Sequence, residues 1–178
     1  MTLRHRLSVV LALLALIWAI ELINWALGHQ LNRLGILPRS LQGLPGILLA
    51  PLLHTNFSHA IANSAPLLLL GWLTSIHGRA RFIRVALGIT VMTGAAVWLF
   101  ARTAYHVGAS GLVFGLFGYL LSRAWFERSF PALLSAAAAV LLYGGLVWGL
   151  LPAETVSFES HVFGLLAGLL MGRFERRR

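Results

Sequence analysis

Six long apolar stretches make up most of this chain, and they constrain its fold more than any other feature. They cover roughly residues 7–27, 57–76, 82–101, 109–123, 130–151 and 157–173. Several approach the ~20 residues that an α-helix needs to cross ~30 Å of hydrocarbon. Only 11% of the 178 residues are charged, against about 25% in a soluble domain. The sequence therefore predicts an all-α, polytopic membrane bundle of six helices in one domain, residues 1–178.

The connection between the first two stretches, residues 28–56, is apolar but is interrupted by three prolines and several glycines. It is too broken for a spanning helix, so we expect an outer loop, either partly embedded or an ordinary external connection. The first stretch contains Glu21 and Asn24 and lacks a small-residue cleavage site. We therefore expect it to be a retained helix and not a signal peptide.

Arginines at the ends of the stretches predict the orientation of the bundle. With the N-terminus inside, the outer side receives only Arg33, Arg39 and Arg102. The inner side receives the other eleven: Arg4, Arg6, Arg79, Arg81, Arg84, Arg123, Arg128, Arg173, Arg176, Arg177 and Arg178. Because cytoplasmic loops carry such an excess of positive charge, we expect both termini in the cytoplasm. The compact chain suggests a bacterial inner membrane, and membrane topology explains the net charge of +9 without a nucleic-acid partner.

Polar side chains stand near the outer ends of the second, fourth and sixth stretches. They are His59 and Asn63 in the second, Ser110 in the fourth and His161 in the sixth. Such groups are costly inside a membrane unless they face the bundle interior or a cavity. Because alternate helices run in the same direction, we expect these four residues at one depth, as an active site requires. Taken alone, each serine or histidine would more often serve packing or interhelical hydrogen bonding.

Small residues recur every three or four positions on two of these stretches. The fourth carries Gly111, Gly115, Gly118 and Ser122, and the sixth carries Ser160, Gly164, Gly168 and Gly172. Such stripes let two helix backbones approach closely. Ser110 adjoins one stripe and His161 the other, so the stripes could hold the pair at hydrogen-bond distance. The alternative is that the stripes serve packing alone.

The fourth stretch also bears on the depth of the predicted site. From Ser110 to Arg123 there are 14 residues, or ~20 Å of helix, which is less than the hydrocarbon thickness. If Arg123 marks the inner boundary, Ser110 lies below the outer surface. Hydrolysis at that depth requires a water-lined cavity.

The chemistry of these residues favours acyl transfer by a serine and a histidine. A serine hydroxyl becomes a good nucleophile when a neighbouring base takes its proton, and histidine suits this task at neutral pH. The chain contains no aspartate to orient the histidine, and Glu159 precedes His161 by two residues, which points it away on a helix. The sequence therefore predicts a dyad of Ser110 and His161.

An oxyanion produced by this dyad would need hydrogen-bond donors. His59 and Asn63 are four residues apart, on one face of a helix, and could serve with the Ser110 backbone N–H. Phe114 lies one turn below Ser110 and is expected to stack on the His161 ring. The remaining histidines, His5, His29, His77 and His106, are assigned to termini or loops without function.

Taken together and in order, these motifs resemble the rhomboid family across roughly residues 54–170. The resemblance is carried by His54-(x4)-His59-(x3)-Asn63, by Gly108-x-Ser110-Gly111 with an aromatic residue at Phe114, and by His161-(x2)-Gly164-(x3)-Gly168. Two features depart from the family. The Trp-Arg pair found in the first outer loop of many members is absent from the segment 35–39, and Phe114 stands where tyrosine is common.

The resemblance implies a six-helix core, Ser110 as nucleophile, His161 as base, and His59 with Asn63 at the oxyanion. Supporting positions follow at His54, Gly108, Gly111, Phe114, Gly164 and Gly168. It also implies cleavage of other membrane proteins in or near their transmembrane segments. The expected partners are therefore transmembrane protein substrates and the lipid bilayer.

Two other functions are weighed against this one. A non-catalytic rhomboid-like protein would bind membrane clients without cutting them, but such relatives lack the serine or the histidine. A transporter would need charged or discontinuous helices at the midplane, and the sequence shows neither a paired acid-base route nor an internal repeat. The chain has no cysteine and no H-E-x-x-H motif, so we expect neither a metal nor another cofactor.

Overall fold

The computed structural model describes residues 3–76, 78–152 and 156–175. His77 and three arginines that were predicted to lie on the inner side, Arg176, Arg177 and Arg178, lie outside these described residues. The side chains of Arg4 and His5 are likewise outside the description.

Seven α-helices occupy the described ranges. They are α1 (Leu3–Ala26), α2 (Gly46–Leu49), α3 (Phe57–Ser75), α4 (Arg79–Phe100), α5 (Ser110–Glu127), α6 (Phe130–Tyr143) and α7 (Phe158–Glu175). The described residues contain no β-strand, only an isolated antiparallel bridge between Ile36 and His106. The predicted all-α class is confirmed.

Within the described residues, three helical segments are long and apolar enough to cross a membrane. They are Arg6–Ala26, Arg79–Phe100 and Phe130–Leu150. The helices α3, α5 and α7 have 19, 18 and 18 residues, which correspond to about 27 Å of helix each. The number of crossings and their direction stay predictions.

Helix α5 lies at the centre of the molecule, and both the interior around it and the outer surface of the bundle are apolar. Most of α5 is buried, including Leu116, Tyr119 and Leu120, as expected for a helix that is hydrophobic all round. Large apolar side chains also cover the outside, such as Leu22 on α1 and Leu141 on α6, which is 84% exposed. An apolar exterior of this kind is unsuited to water and suited to lipid.

The two glycine stripes bring α5 and α7 into backbone contact. A Cβ atom at Gly164 would lie 2.2 Å from the Gly111 carbonyl oxygen, and one at Gly168 would lie 1.8 Å from the Gly115 carbonyl oxygen. Neither position can accept a side chain without separating the helices. The close approach predicted from the stripes is therefore confirmed.

We expect Gly168→Ala to destabilise the protein strongly, because the added methyl group overlaps the Gly115 carbonyl. Overpacking of this kind costs about 1–3 kcal/mol, occasionally more. Thermal unfolding in detergent, followed by circular dichroism, measures the loss. The matched control is Gly145→Ala, since nothing lies within 4 Å of a Cβ atom there. Equal melting temperatures for the two variants would contradict the packing.

The loop 28–56 is made of short turns and α2, and it is tied to the end of α4. The Arg39 guanidinium donates to the Ala101 carbonyl at 2.8 Å and to Thr103 Oγ1 at 2.9 Å. Trp98 Nε1 donates to the Ser40 carbonyl at 2.8 Å. The loop is too broken to span, as predicted, yet it is anchored by specific hydrogen bonds.

Two helix ends differ from the sequence-based expectation. Arg123 does not end the fourth stretch, because α5 continues to Glu127 and Arg123 is only 4% exposed. Its Nη2 donates to Glu127 Oε2 at 2.7 Å, and this i,i+4 ion pair allows the guanidinium to stay within the helix. The helix therefore extends one turn beyond the predicted end of the stretch at residue 123, and the depth of Ser110 in the membrane stays a prediction.

The fifth stretch also ends differently, since α6 stops at Tyr143 and is continued by a 3₁₀-helix, Gly144–Leu150. Glycines lower helix propensity by about 1 kcal/mol each, and this segment begins with Gly144 and Gly145. The tighter winding turns the segment toward α7 and brings Gly149 beside His161.

Candidate active site

A cavity of about 810 Å³ lies among α3, α5, α7 and the 3₁₀ segment 144–150. Its lining includes the four polar residues predicted for the site, His59, Asn63, Ser110 and His161. These residues come from three helices that are far apart in sequence. The expectation of a cavity at the Ser110 end of the bundle agrees with this geometry.

Ser110 is the first residue of α5 and follows a glycine turn. Gly108 has φ +118°, a conformation that L side chains rarely adopt. A Cβ atom there would lie 2.6 Å from the His59 ring, so the position needs glycine for two reasons. The first backbone N–H groups of a helix have no partner inside it, which leaves the Ser110 N–H at the start of α5 free to act as a donor.

His54 holds this turn through a hydrogen bond to its backbone. The side chain is fully buried, and its Nε2 accepts a hydrogen bond from the Ala109 backbone N–H at 3.3 Å. Burial first, and the neighbouring His59 second, lower the pKa of His54 to about 4. The imidazole is therefore neutral at pH 7 and can accept that bond, which holds the residue before Ser110.

His161 lies on the first turn of α7 and is 9% exposed. Its ring stacks on Phe114, with the two centroids 4.3 Å apart and the planes inclined by 4°. The predicted stacking is confirmed. Its Nδ1 is 2.7 Å from the carbonyl oxygen of Gly149. In the described structure no hydrogen bond joins His161 to Ser110, although both line the cavity; such bonds are often formed only when substrate binds.

His59 and Asn63 lie one turn apart on α3 and both line the cavity. Asn56 caps the helix by accepting from the His59 backbone N–H at 2.8 Å. Asn63 Nδ2 donates to the His59 carbonyl at 3.0 Å. Because an amide nitrogen carries two hydrogens, a second N–H of Asn63 remains for a ligand.

Glu159 is paired with Arg102. Its Oε1 is 3.5 Å from Arg102 Nε and 3.4 Å from the Arg102 backbone nitrogen. The expectation that this carboxylate points away from His161 therefore agrees with its contacts. His29, which was assigned no function, pairs with the buried Glu21 at 3.3 Å.

His106 was also assigned to a loop without function. It does lie in a loop, but it is buried and both of its ring nitrogens have hydrogen-bond partners. Its backbone pairs with Ile36 in both directions. Its ring Nδ1 is 2.5 Å from Ser157 Oγ, and its Nε2 is 3.0 Å from the Arg102 carbonyl. His106 therefore connects the loop before α5 to the start of α7. No motif or spacing in the sequence predicts this contact.

Comparison with known proteins supports the family resemblance that the sequence motifs indicated. The family model described as the rhomboid domain matches residues 42–178. An uncharacterised protein of Mycobacterium tuberculosis is 34% identical over 173 residues, covering 92% of this chain and 72% of its own length. A Bacillus subtilis protein provisionally named as a rhomboid protease is 30% identical over 122 residues, covering 67% and 61% of the two chains. The RHOMBOID-like protein 1 of Arabidopsis thaliana is 32% identical over 128 residues, 67% of this chain and 31% of that protein.

Proposed function

Because this chain belongs to the rhomboid family of membrane proteins, whose members are generally intramembrane serine proteases, we propose that it is a serine endopeptidase. It would cleave other membrane proteins in or near their transmembrane segments. The observation that carries the proposal is the cavity lined together by Ser110, His161, His59 and Asn63. No cofactor is needed for this reaction.

In the proposed reaction, Ser110 Oγ attacks the carbonyl carbon of the scissile peptide bond, and its proton passes to His161 Nε2. The resulting oxyanion accepts hydrogen bonds from the Ser110 N–H, Asn63 Nδ2 and His59. The intermediate collapses when the C–N bond breaks and the leaving amine takes the proton from His161. Water then hydrolyses the acyl-enzyme, with His161 again acting as the base.

The direct test is to incubate the purified protein with a fluorophosphonate probe and to map the adduct by mass spectrometry. We expect a single adduct on Ser110. Ser157 is an internal control, because its hydroxyl lines the same cavity and lies beside His106. An adduct on Ser157 alone, or no adduct in protein that retains its helical fold, would refute the assignment.

The second candidate is a client-binding protein that does not cut. It is favoured by one observation, the lack of a hydrogen bond between Ser110 and His161 in the described structure. In that case the cavity would hold part of a client, and the probe would label nothing. The same experiment therefore separates the two functions.

We further propose a multi-pass protein of a bacterial inner membrane with both termini in the cytoplasm, because arginines are concentrated on one side of the predicted bundle. The expected result is that a C-terminal reporter at residue 178 is cytoplasmic. A reporter inserted within residues 151–158 is expected outside. Alkaline phosphatase and green fluorescent protein fusions measure the two sides. The same side for both would remove the sixth crossing and the site with it.

A further inference from the structure

The backbone of the 3₁₀ segment 144–150 makes the only hydrogen bond that the His161 ring has among the described residues. The Gly149 carbonyl oxygen lies 2.7 Å from His161 Nδ1. A carbonyl oxygen can only accept a hydrogen bond, so Nδ1 must carry the hydrogen. The Nε2 atom of a neutral imidazole is then unprotonated, which is the state that a general base requires.

Glycine at position 149 is what allows this approach. A Cβ atom there would lie 2.8 Å from Phe114 Cζ and 3.2 Å from His161 Nδ1. Phe114 already covers one face of the imidazole at a centroid distance of 4.3 Å. A larger residue at 149 would therefore displace the stacked pair of rings. The backbone and the Phe114 ring together leave the imidazole few other orientations.

No acid competes for this place. The chain contains no aspartate, and Glu159 contacts Arg102. The other ionisable side chains that line the cavity are His59, Arg102, Tyr105, His106 and Tyr143, and none of them is a carboxylate. Within the described part of the chain, the Gly149 carbonyl is thus the sole acceptor at Nδ1.

We propose that Gly149 is the positioning residue of the site and that its carbonyl selects the Nδ1–H tautomer of His161. This proposal rests on the proposed function. In a Ser-His-Asp triad the aspartate orients the histidine, and its loss selects the wrong tautomer. Here a main-chain dipole performs the orienting task. The competence of His161 consequently depends on how the segment after α6 packs against α7.

The tautomer can be measured directly with the full chain reconstituted in lipid. We expect ¹⁵N NMR of histidine-labelled protein at neutral pH to show His161 protonated at Nδ1, with the signal assigned by its loss in His161→Gln. A His161 signal protonated at Nε2 would overturn the proposal. This readout does not depend on turnover, so failure of the proposed function and failure of this inference are distinguishable.

Gly149→Ala and Val147→Ala form a pair of variants on the same 3₁₀ segment. We expect Gly149→Ala to lose the Nδ1–H signature and to slow fluorophosphonate labelling of Ser110 by about 100-fold, the cost of misplacing a catalytic group by ~1 Å. Val147→Ala should match wild type, because the Val147 side chain is 53% exposed and does not line the cavity. Equal tautomer populations and labelling rates in the two variants would overturn the proposal.

A second change avoids any added bulk. Replacing Leu150 by its α-hydroxy acid converts the bond after Gly149 to an ester, whose carbonyl is a weaker acceptor. We expect slower labelling and a mixed tautomer population at His161, with thermal stability close to wild type. The same replacement at Leu146 is the control. Unchanged labelling and tautomer in the Leu150 ester would show that the carbonyl does not position the base.

Discussion

Ser110→Ala is expected to abolish cleavage of a reporter transmembrane substrate while the protein still folds and inserts. The loss should be about 10⁴-fold or more, because removing the nucleophile of a serine protease removes nearly all its catalysis. The fold should survive, since the Ser110 hydroxyl makes no hydrogen bond in the described structure and Ala109 and Gly111 keep the turn. Turnover is measured by gel or fluorescence in lipid vesicles.

The control for this substitution is Ser135→Ala on α6. Its hydroxyl donates only to the Pro131 carbonyl of its own helix, at 2.8 Å, so its removal should leave turnover near wild type. Equal turnover in Ser110→Ala and Ser135→Ala would end the assignment of Ser110. Equal loss in both would indicate a folding defect, which circular dichroism would detect.

His161→Ala is expected to remove both proteolysis and probe labelling, because Ser110 then has no base. Asn63→Ala should act differently, since an oxyanion donor contributes about 10- to 1,000-fold to the rate and activity remains without it. The two residues line the cavity from different helices, Asn63 on α3 and His161 on α7. Their positions motivate the separate roles.

Both variants are measured in the same lipid, with labelling rate and peptide-bond turnover determined on one preparation. His161→Ala also removes the ring that stacks on Phe114, so its melting temperature is recorded beside that of Asn63→Ala. Normal labelling in His161→Ala with none in Asn63→Ala would reverse the proposed roles. Residual turnover in Asn63→Ala and none in His161→Ala is the expected pattern.

Much of the candidate site could be predicted from the sequence, because its signals are local and periodic. Apolar length predicts helices, and small residues at spacings of three and four predict which faces touch, as Gly164 on Gly111 and Gly168 on Gly115 do. The stacking of Phe114 on His161 follows from the position of Phe114 one turn after Ser110. In each case the spacing along a helix determines the direction of a side chain.

The tertiary structure alone decided the contacts that no residue type or spacing in the sequence indicates. Every residue has a carbonyl, so the bond from His161 Nδ1 to the Gly149 oxygen cannot be seen in a sequence. It depends on α6 giving way to a 3₁₀-helix at Gly144. His106 was likewise missed, because its partner Ser157 is 51 residues away and no spacing rule links two loops.

The burial of Arg123 was also decided by the tertiary structure. The fourth stretch was predicted to end at Arg123, yet α5 continues to Glu127, and Arg123 is buried and paired with Glu127 inside the helix. The sequence determined which residues share a helix face, since helical periodicity is a property of the local backbone. Which atoms of distant segments come into contact depended on how those segments pack together. This packing is a property of the folded chain alone.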